Sequence, residues 1–389
     1  MINRLAASMI LILCIVLLTG CWDRHELSDR VFDLAASADL RDDGTYLTAG
    51  QFIIPSRIEQ GASGSEKSYY IETGEGKSIL KSIQGVRQKL SRTIARGHRH
   101  NFYIGEKLAK NGIEDMLDVF SRDPGNRIRL DIWVVKGNTG LEALKVLYPL
   151  EKIPSVASNK IYKAVGGTVG KSYLDFLMAS SAEGSCPTLP VVDIVQGASP
   201  QETIRFYGRA IFNHDYKLVG YLNFVEGAYR QWILKGISYL EVVEDIPEGD
   251  GTVGVIVTNF RSKLKSSITS EKKVKMDITL SGVGLINENN TNLDLTQLHN
   301  WKLVQNKINK SNSEHVLEMI TKVQKQYGTD VLGFNEVLNR QHPIKWKELN
   351  RNWDNIFPEI QVTVNVHIKL KQIGLVGPSL QFKEREIKK

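Results

Sequence analysis

The sequence predicts an α+β chain of mixed α/β character, in more than one domain, with mixed or antiparallel sheets, packed helices and no common superfold. Three observations lead there. Strand-like and helix-like patterns alternate through the first half without the regular spacing of a dinucleotide-binding βαβ unit. Near the C terminus Ile360, Val362, Val364, Val366, Ile368 and Leu370 alternate strictly with polar residues, the period-two signature of a half-buried strand. The chain has 389 residues, 42% hydrophobic and 24% charged, which suffices for two or three domains with ordinary apolar cores.

In chain order, Val31 to Leu40 and Tyr46 to Ile54 are apolar-rich extended stretches separated by Asp43-Gly44, which reads as a hairpin. Ile79, Leu80, Ile83, Val86 and Leu90 have helical spacing, and Phe102 to Ile104 follows as a strand. Ile113, Met116, Leu117 and Phe120 mark a second helix, stopped by Asp123-Pro124-Gly125 before a strand at Ile128 to Val135. Asn138 or Thr139 can cap a short third helix, and another helix lies near Ser172 to Ser180. Beyond it come a strand at Ile204 to Phe212, a turn at Asn213-His214-Asp215 and a helix from Leu222 to Leu234. Strands at Val253 to Phe260 and Val274 to Leu285, helical segments between Leu293 and Tyr327, and the alternating strand complete the pattern.

Residues 1–20 form a cleaved segment, 21–198 a first region, 202–375 a second and 376–389 a basic tail, with the boundary at Ala198-Ser199-Pro200. The Ser, Gly and Pro-rich stretch from 150 to 198 is a candidate subdomain of its own.

After Met1 to Arg4, the residues Leu5 to Leu18 are apolar or small, apart from Ser8. A bilayer span needs about 20 apolar residues, so this run fits the core of a secretory signal instead. It leads into Leu18-Thr19-Gly20-Cys21, which resembles the lipobox of bacterial lipoproteins, with cleavage between Gly20 and Cys21. The resemblance implies that Cys21 carries S-diacylglycerol and an N-palmitoyl chain, and that these acyl chains in the lipid bilayer are the anchor. Burying acyl chains contributes about 0.8 kcal/mol per CH₂, and stable anchoring takes two chains. Of the other cysteines, Cys14 leaves with the signal, and Cys186 has no neighbour in sequence that would activate its thiol.

The net charge of +7 is concentrated partly in Lys263, Lys265, Lys272, Lys273 and Lys275 and in the tail residues Lys383, Arg385, Lys388 and Lys389. Solvated lysine-rich strands and a frayed end explain this; an anionic lipid surface is the alternative. Nucleic acid is excluded as a partner by the absence of a binding motif in an exported chain.

The chemical motifs do not assemble into a reaction, and no cofactor is implied. Gly76-Lys77-Ser78 and Gly170-Lys171-Ser172 lack the earlier glycine of a phosphate loop, where Ile71 and Val165 stand, so Ser78 and Ser172 read as helix starts. His25-Glu26-Leu27-Ser28-Asp29 has aspartate where a zinc protease needs its second histidine. His98 and His100 could share a metal on one strand face but have no third ligand. Glu241 and Glu244 imitate a glycosidase pair only in spacing.

Several segments taken together resemble the Ger(x)C family of spore germination lipoproteins. They are Cys21-Trp22-Asp23-Arg24-His25-Glu26-Leu27, His100-Asn101-Phe102-Tyr103-Ile104-Gly105-Glu106, Arg122-Asp123-Pro124, Leu218-Val219-Gly220-Tyr221-Leu222, Asp330-Val331-Leu332-Gly333-Phe334, Pro343-Ile344-Lys345-Trp346 and Asn352-Trp353-Asp354-Asn355-Ile356-Phe357. The resemblance implies a noncatalytic subunit of a nutrient germinant receptor, working beside integral-membrane A and B subunits at the extracytoplasmic face of the spore inner membrane. Glu226-Gly227-Ala228 departs from the family's usual pattern, which leaves open which receptor the chain serves. Which nutrient is sensed, and whether this chain touches it, also stays open. The rival class is an extracytoplasmic solute-binding lipoprotein. Phe334, Trp346 and Trp353 are candidate partner-binding anchors, since tryptophan often serves that role; the alternative is that they fill the core beneath the last strand, and burial distinguishes the two.

Overall fold

The computed structural model describes residues 29–54, 68–198, 201–269, 273–372, 379 and 381–388. Gly20, Cys21 and the His25 segment lie outside the described residues.

The first unit is a sheet of strands β1 (Arg30–Leu40), β2 (Tyr46–Ile53), β3 (Tyr69–Gly76), β4 (Thr93–Ala95), β5 (Asn101–Gly105), β6 (Asp131–Lys136), β7 (Thr188–Gln196), β8 (Glu202–Phe212) and β9 (Leu218–Asn223). Its order is β3-β2-β1-β5-β6-β7-β8-β9, with β4 beside the start of β1. The β1, β5, β6 and β7 ladders are parallel, and antiparallel pairs flank them on both sides. Phe102, Ile104, Ile132 and Val134 pack into one core, whereas Tyr103, Trp133 and Val135 pack into another. Both faces of the central strands are therefore covered, which is why those strands read as nearly continuous apolar runs.

Helix α1 (Ile79–Arg87), α2 (Glu106–Asn111), α3 (Glu114–Arg122), α4 (Gly140–Lys145), α5 (Ala157–Ala164) and α6 (Tyr173–Ser181) surround this sheet. Their starts follow the capping chemistry expected. Ser78 accepts from Lys81 N, and Thr139 and Ser172 form reciprocal capping boxes with Glu142 and Asp175. The stretch 150–198 belongs to this unit, because α5 and α6 lie on β8 and β7. β7 and β8, which lie on either side of the expected boundary in sequence, pair antiparallel, so the first sheet runs across that boundary and takes β8 and β9 from beyond it. The architectural change comes after α7 (Phe224–Ile233), which begins at its Asn223 cap rather than at Leu222.

The second unit is the sheet β10 (Leu240–Ile246), β11 (Gly251–Ile268), β12 (Val274–Asn289) and β13 (Gln361–Gln372), in that order, with α8 (Leu298–Lys322) across one face. β13 shows the expected alternation: Val366, Ile368 and Leu370 are buried, and Asn365, His367 and Lys369 are exposed. As an edge strand it would leave alternate N–H groups unpaired. Instead Val366, Ile368 and Leu370 donate to Ser313 Oγ (3.0 Å), Asn309 Oδ1 (2.7 Å) and Gln305 Oε1 (3.0 Å). Four residues of helix rise about 6 Å and two of strand about 6.6 Å, so a helical i, i+4 row can follow a strand's i, i+2 row. The lysines Lys263, Lys265 and Lys275 lie on the uncovered face, solvated as expected. The tail is not frayed at its described end: Lys388 bridges to Leu293, and its Nζ reaches Asp250 at 3.2 Å.

This side-chain ladder gives a first test. Asn309→Val leaves the Ile368 N–H without an acceptor and is expected to cost about 1–3 kcal/mol. Asn309→Asp keeps an acceptor oxygen and is expected to restore most of that loss, as measured by denaturant unfolding.

Candidate functional site at the seam between the units

The turn Asp330-Val331-Leu332-Gly333-Phe334 opens α9 (Phe334–Gln341), and Asp330 organises it. Its carboxylate accepts N–H groups from Leu332 (3.0 Å), Phe334 (3.3 Å) and Asn335 (2.8 Å) and the Trp353 indole N–H (3.2 Å). Gly333 takes φ +75°, a conformation that favours glycine, which lets the chain fold back over this carboxylate. The Asp330 carbonyl accepts Cys186 N–H at 2.9 Å, tying the turn to the first unit. Asn335 Nδ2 donates to the Glu183 carbonyl at 2.8 Å. Between those contacts Gly184 sits with φ +74°, where a Cβ would lie 2.5 Å from Trp353 Cδ1. Trp353 meets Trp346 edge-on, with ring centroids 5.0 Å apart.

Phe334, Trp346 and Trp353 are 0%, 3% and 2% exposed. Rings so enclosed have no face to offer another protein, and the expectation that they anchor a partner is corrected: they join the two units from within. Burial outweighs the four donors around Asp330 and pushes its carboxyl up to about 6. Nearby, buried Arg230 donates from Nε to the Val331 carbonyl (2.8 Å) and from Nη1 to Gln231 Oε1 (3.0 Å). Buried Arg209 donates to Thr188 Oγ1 (2.9 Å) and to the Gly170 carbonyl. Neither guanidinium was identifiable as a core residue from sequence.

The seam also holds a constellation that the sequence conceals, because its members lie far apart along the chain. Cys186 Sγ is 3.6 Å from His214 Nε2, and that nitrogen is 3.1 Å from Asp354 Oδ1. A thiol–imidazole–carboxylate relay uses opposite ring nitrogens for thiol and acid; here both contacts fall on Nε2. Burial pushes the Cys186 thiol up to about 12, so the thiolate is suppressed. The arrangement is suited to packing rather than to nucleophilic attack.

The remaining candidates separate. Lys171 is held by Asp131 (2.7 Å) and Asn159 (2.8 Å), facing no phosphate cradle. His98 ends a short 3₁₀ turn and stacks edge-on with Phe32 at 5.1 Å, so it does not share a strand face with His100. Among the described residues no three His, Cys, Asp or Glu side chains gather to hold a metal ion. Glu241 points outward on β10 while Glu244 points inward, where it accepts from Ser311 (2.5 Å) and Asn312 (2.9 Å).

A family model described as the spore germination protein N-terminal domain matches residues 23–194, and one described as spore germination B3/GerAC like, C-terminal, matches residues 207–374. The chain belongs to this spore germination family. Its part in the cell is therefore in spore germination, and its Ger(x)C resemblance holds across both halves. It is similar to spore germination protein KC of Bacillus subtilis (strain 168), 23% identical over 99% of this chain and 100% of that protein. Spore germination protein B3 of the same organism is 24% identical over 95% of this chain and 96% of its own length. The crystal structure of the GerBC protein shares the fold, with a TM-score of 0.56 and 18% identity over 90% of this chain and 99% of that one. The α+β fold is thus shared with that protein.

Two measurements test the seam. Trp353→Ala is expected to cost about 3–5 kcal/mol of stability through the cavity it opens, read as a lower unfolding midpoint. The second concerns pH. Asp330 has a folded value of about 6 against an ordinary 3.8, so its contribution is complete below pH 3.8 and is lost as pH rises through 6. Between pH 4 and 7 the native protein should therefore lose about 2.4 kcal/mol relative to Asp330→Asn, out of about 3 kcal/mol over the whole transition, at 1.36 kcal/mol for each pKa unit.

Proposed function

We propose that the chain is a lipid-anchored, noncatalytic subunit of a spore nutrient germinant receptor, held by acylated Cys21 at the extracytoplasmic face of the spore inner membrane. The observation that carries the reading is the match of both germination-family models over nearly all of the chain, preceded by an apolar run that leads into Leu18-Thr19-Gly20-Cys21. Among the described residues no helix is long and apolar enough to cross a membrane. The acyl chains confine the protein to the surface and raise its effective concentration beside integral-membrane A and B subunits. It then acts by favouring one conformation of those partners through binding. The seam supports a noncatalytic role, since its thiol, imidazole and carboxylates are committed to one another and to backbone groups.

The rival reading, a solute-binding lipoprotein, calls for two similar lobes around a cleft. The two units here differ in strand number, connectivity and helix cover, which favours the assembly role.

Cys21→Ala is expected to abolish incorporation of a clickable fatty acid and to release the protein from spore membranes; undiminished label on the variant would refute lipidation at this residue. Copurification of tagged protein with integral-membrane subunits tests the assembly role. Lys77→Ala is expected to leave nutrient-triggered germination unchanged at normal protein levels, because Lys77 belongs to a helix start rather than a phosphate site.

A further inference from the structure

An open groove of about 640 Å³ lies where the described chain begins, lined by Asp29, Arg87, Leu90, Arg92, Ile94 and Arg96 among others. The topology puts it there. β4 runs parallel to the first residues of β1, with Arg30 opposite Thr93 and Val31 opposite Ile94, so the loop after α1 and the entry to the sheet share one corner. Three arginines and one aspartate line the groove, an excess of positive charge. Arg96 is engaged by Asp123, and the neighbouring charges of Arg87 and Arg99 press against it. Among the described residues Arg87 and Arg92 form no ion pair, and both are exposed. Half-buried Leu90 and Ile94 add an apolar wall that continues into the small core of Val31, Phe52 and Val86.

We infer that this groove binds the phosphate of an anionic phospholipid headgroup. A guanidinium presents paired N–H donors that match phosphate oxygens, and two unpaired arginines flanked by an aliphatic wall suit a phosphodiester attached to glycerol. Position selects the lipid over other phosphates. Asp29 is eight residues after Cys21, so the groove lies no more than about 28 Å of extended chain from the anchor. This step rests on lipidation at Cys21. Acyl chains alone permit the ectodomain to tumble above the membrane; a second contact at this corner fixes one orientation toward embedded partners.

The test uses the full mature chain carrying Cys21→Ser, so that headgroup binding is measured without acyl chains and independently of whether Cys21 is lipidated. Vesicles of equal parts phosphatidylcholine and phosphatidylglycerol are compared with phosphatidylcholine alone by flotation. The protein should float only with the anionic vesicles. Arg87→Gln with Arg92→Gln should weaken that binding about 30-fold, from roughly 1 kcal/mol for each basic side chain at the surface. Lys263→Gln with Lys265→Gln removes the same charge from the open face of the second sheet and should change it less than about twofold, since charge there is distant from the groove. Equal losses in the two double variants would replace the groove by a diffuse charge effect. Equal flotation with both vesicle types would overturn the proposal, as would saturable arginine-dependent binding of inorganic phosphate without a preference for anionic vesicles. Unchanged thermal melting of the arginine variant separates lost binding from lost folding. If it melts early, a single Arg92→Gln variant that folds normally should still lose about fivefold, and unweakened binding by it would overturn the assignment.

Discussion

A single buried carboxylate fixes the geometry on which the two-unit arrangement depends. Asp330 holds three backbone N–H groups of its own turn, so α9 must begin there, and it holds the Trp353 indole, so the last helical segments must fold back onto that turn. Trp353 then closes over Gly184, a residue of the first unit with no side chain to obstruct it. The ionised carboxylate pays for its desolvation with these bonds only in part, as its raised proton affinity indicates. Removing a donor would leave a charge buried with too few partners, so the contacts form as a set.

The same seam covers strand edges that would otherwise face solvent. Tyr327, at the end of the π-helical turn Val323–Tyr327 that continues α8, reaches the outermost strand of the first sheet: its hydroxyl donates to the Tyr221 carbonyl at 3.1 Å, and its ring lies where a Cβ on Gly220 would intrude at 2.1 Å. Within α8, Gln305, Asn309 and Ser313 occupy the free N–H groups of β13. One helix thus finishes an edge of each sheet. Unit boundaries drawn along the sequence miss this, because the hairpin at Ala198 continues one sheet while the helix that protects that sheet's edge comes a hundred residues later.

Local chemistry was legible where a short pattern decides it. The Asp43-Gly44 hairpin, the Ser78, Thr139 and Ser172 caps and the alternation of β13 each depend on residues within a few positions of one another. β7 was hidden in a Ser, Gly and Pro-rich stretch because Pro190 argues against a central strand; its ladder with β6 begins only at Val191, so the missing N–H costs no bond there. The helix expected from Leu222 begins instead at the Asn223–Glu226 capping box, and Leu218–Asn223 before it is strand β9. The roles of Trp346 and Trp353 were undecidable, since a tryptophan has the same composition signal in a core as at an interface. Cys186 and His214 meet only because β7 and β8 are antiparallel neighbours, which no spacing rule conveys.

The segments that carry the family likeness share a physical task. Asn101 is buried and receives the Trp133 indole N–H at 2.8 Å while donating to the Ser155 carbonyl at 2.6 Å; Gly105 admits Asp39 to the start of α4; Glu106 accepts the Tyr221 hydroxyl at 2.6 Å. Together with Gly220, Asp330, Trp346 and Trp353, they fix how helices, sheets and units meet. Polar networks of this kind tolerate few alternative arrangements, because each missing partner leaves a buried group unsatisfied. The proposed role, contact with a partner rather than chemistry, would need that property: a surface can bias a partner's conformation only if the body behind it does not yield. In that proposal, rigidity inside the fold and attachment at its N-terminal corner would be complementary, the first preserving the shape of a binding surface and the second deciding which way it faces.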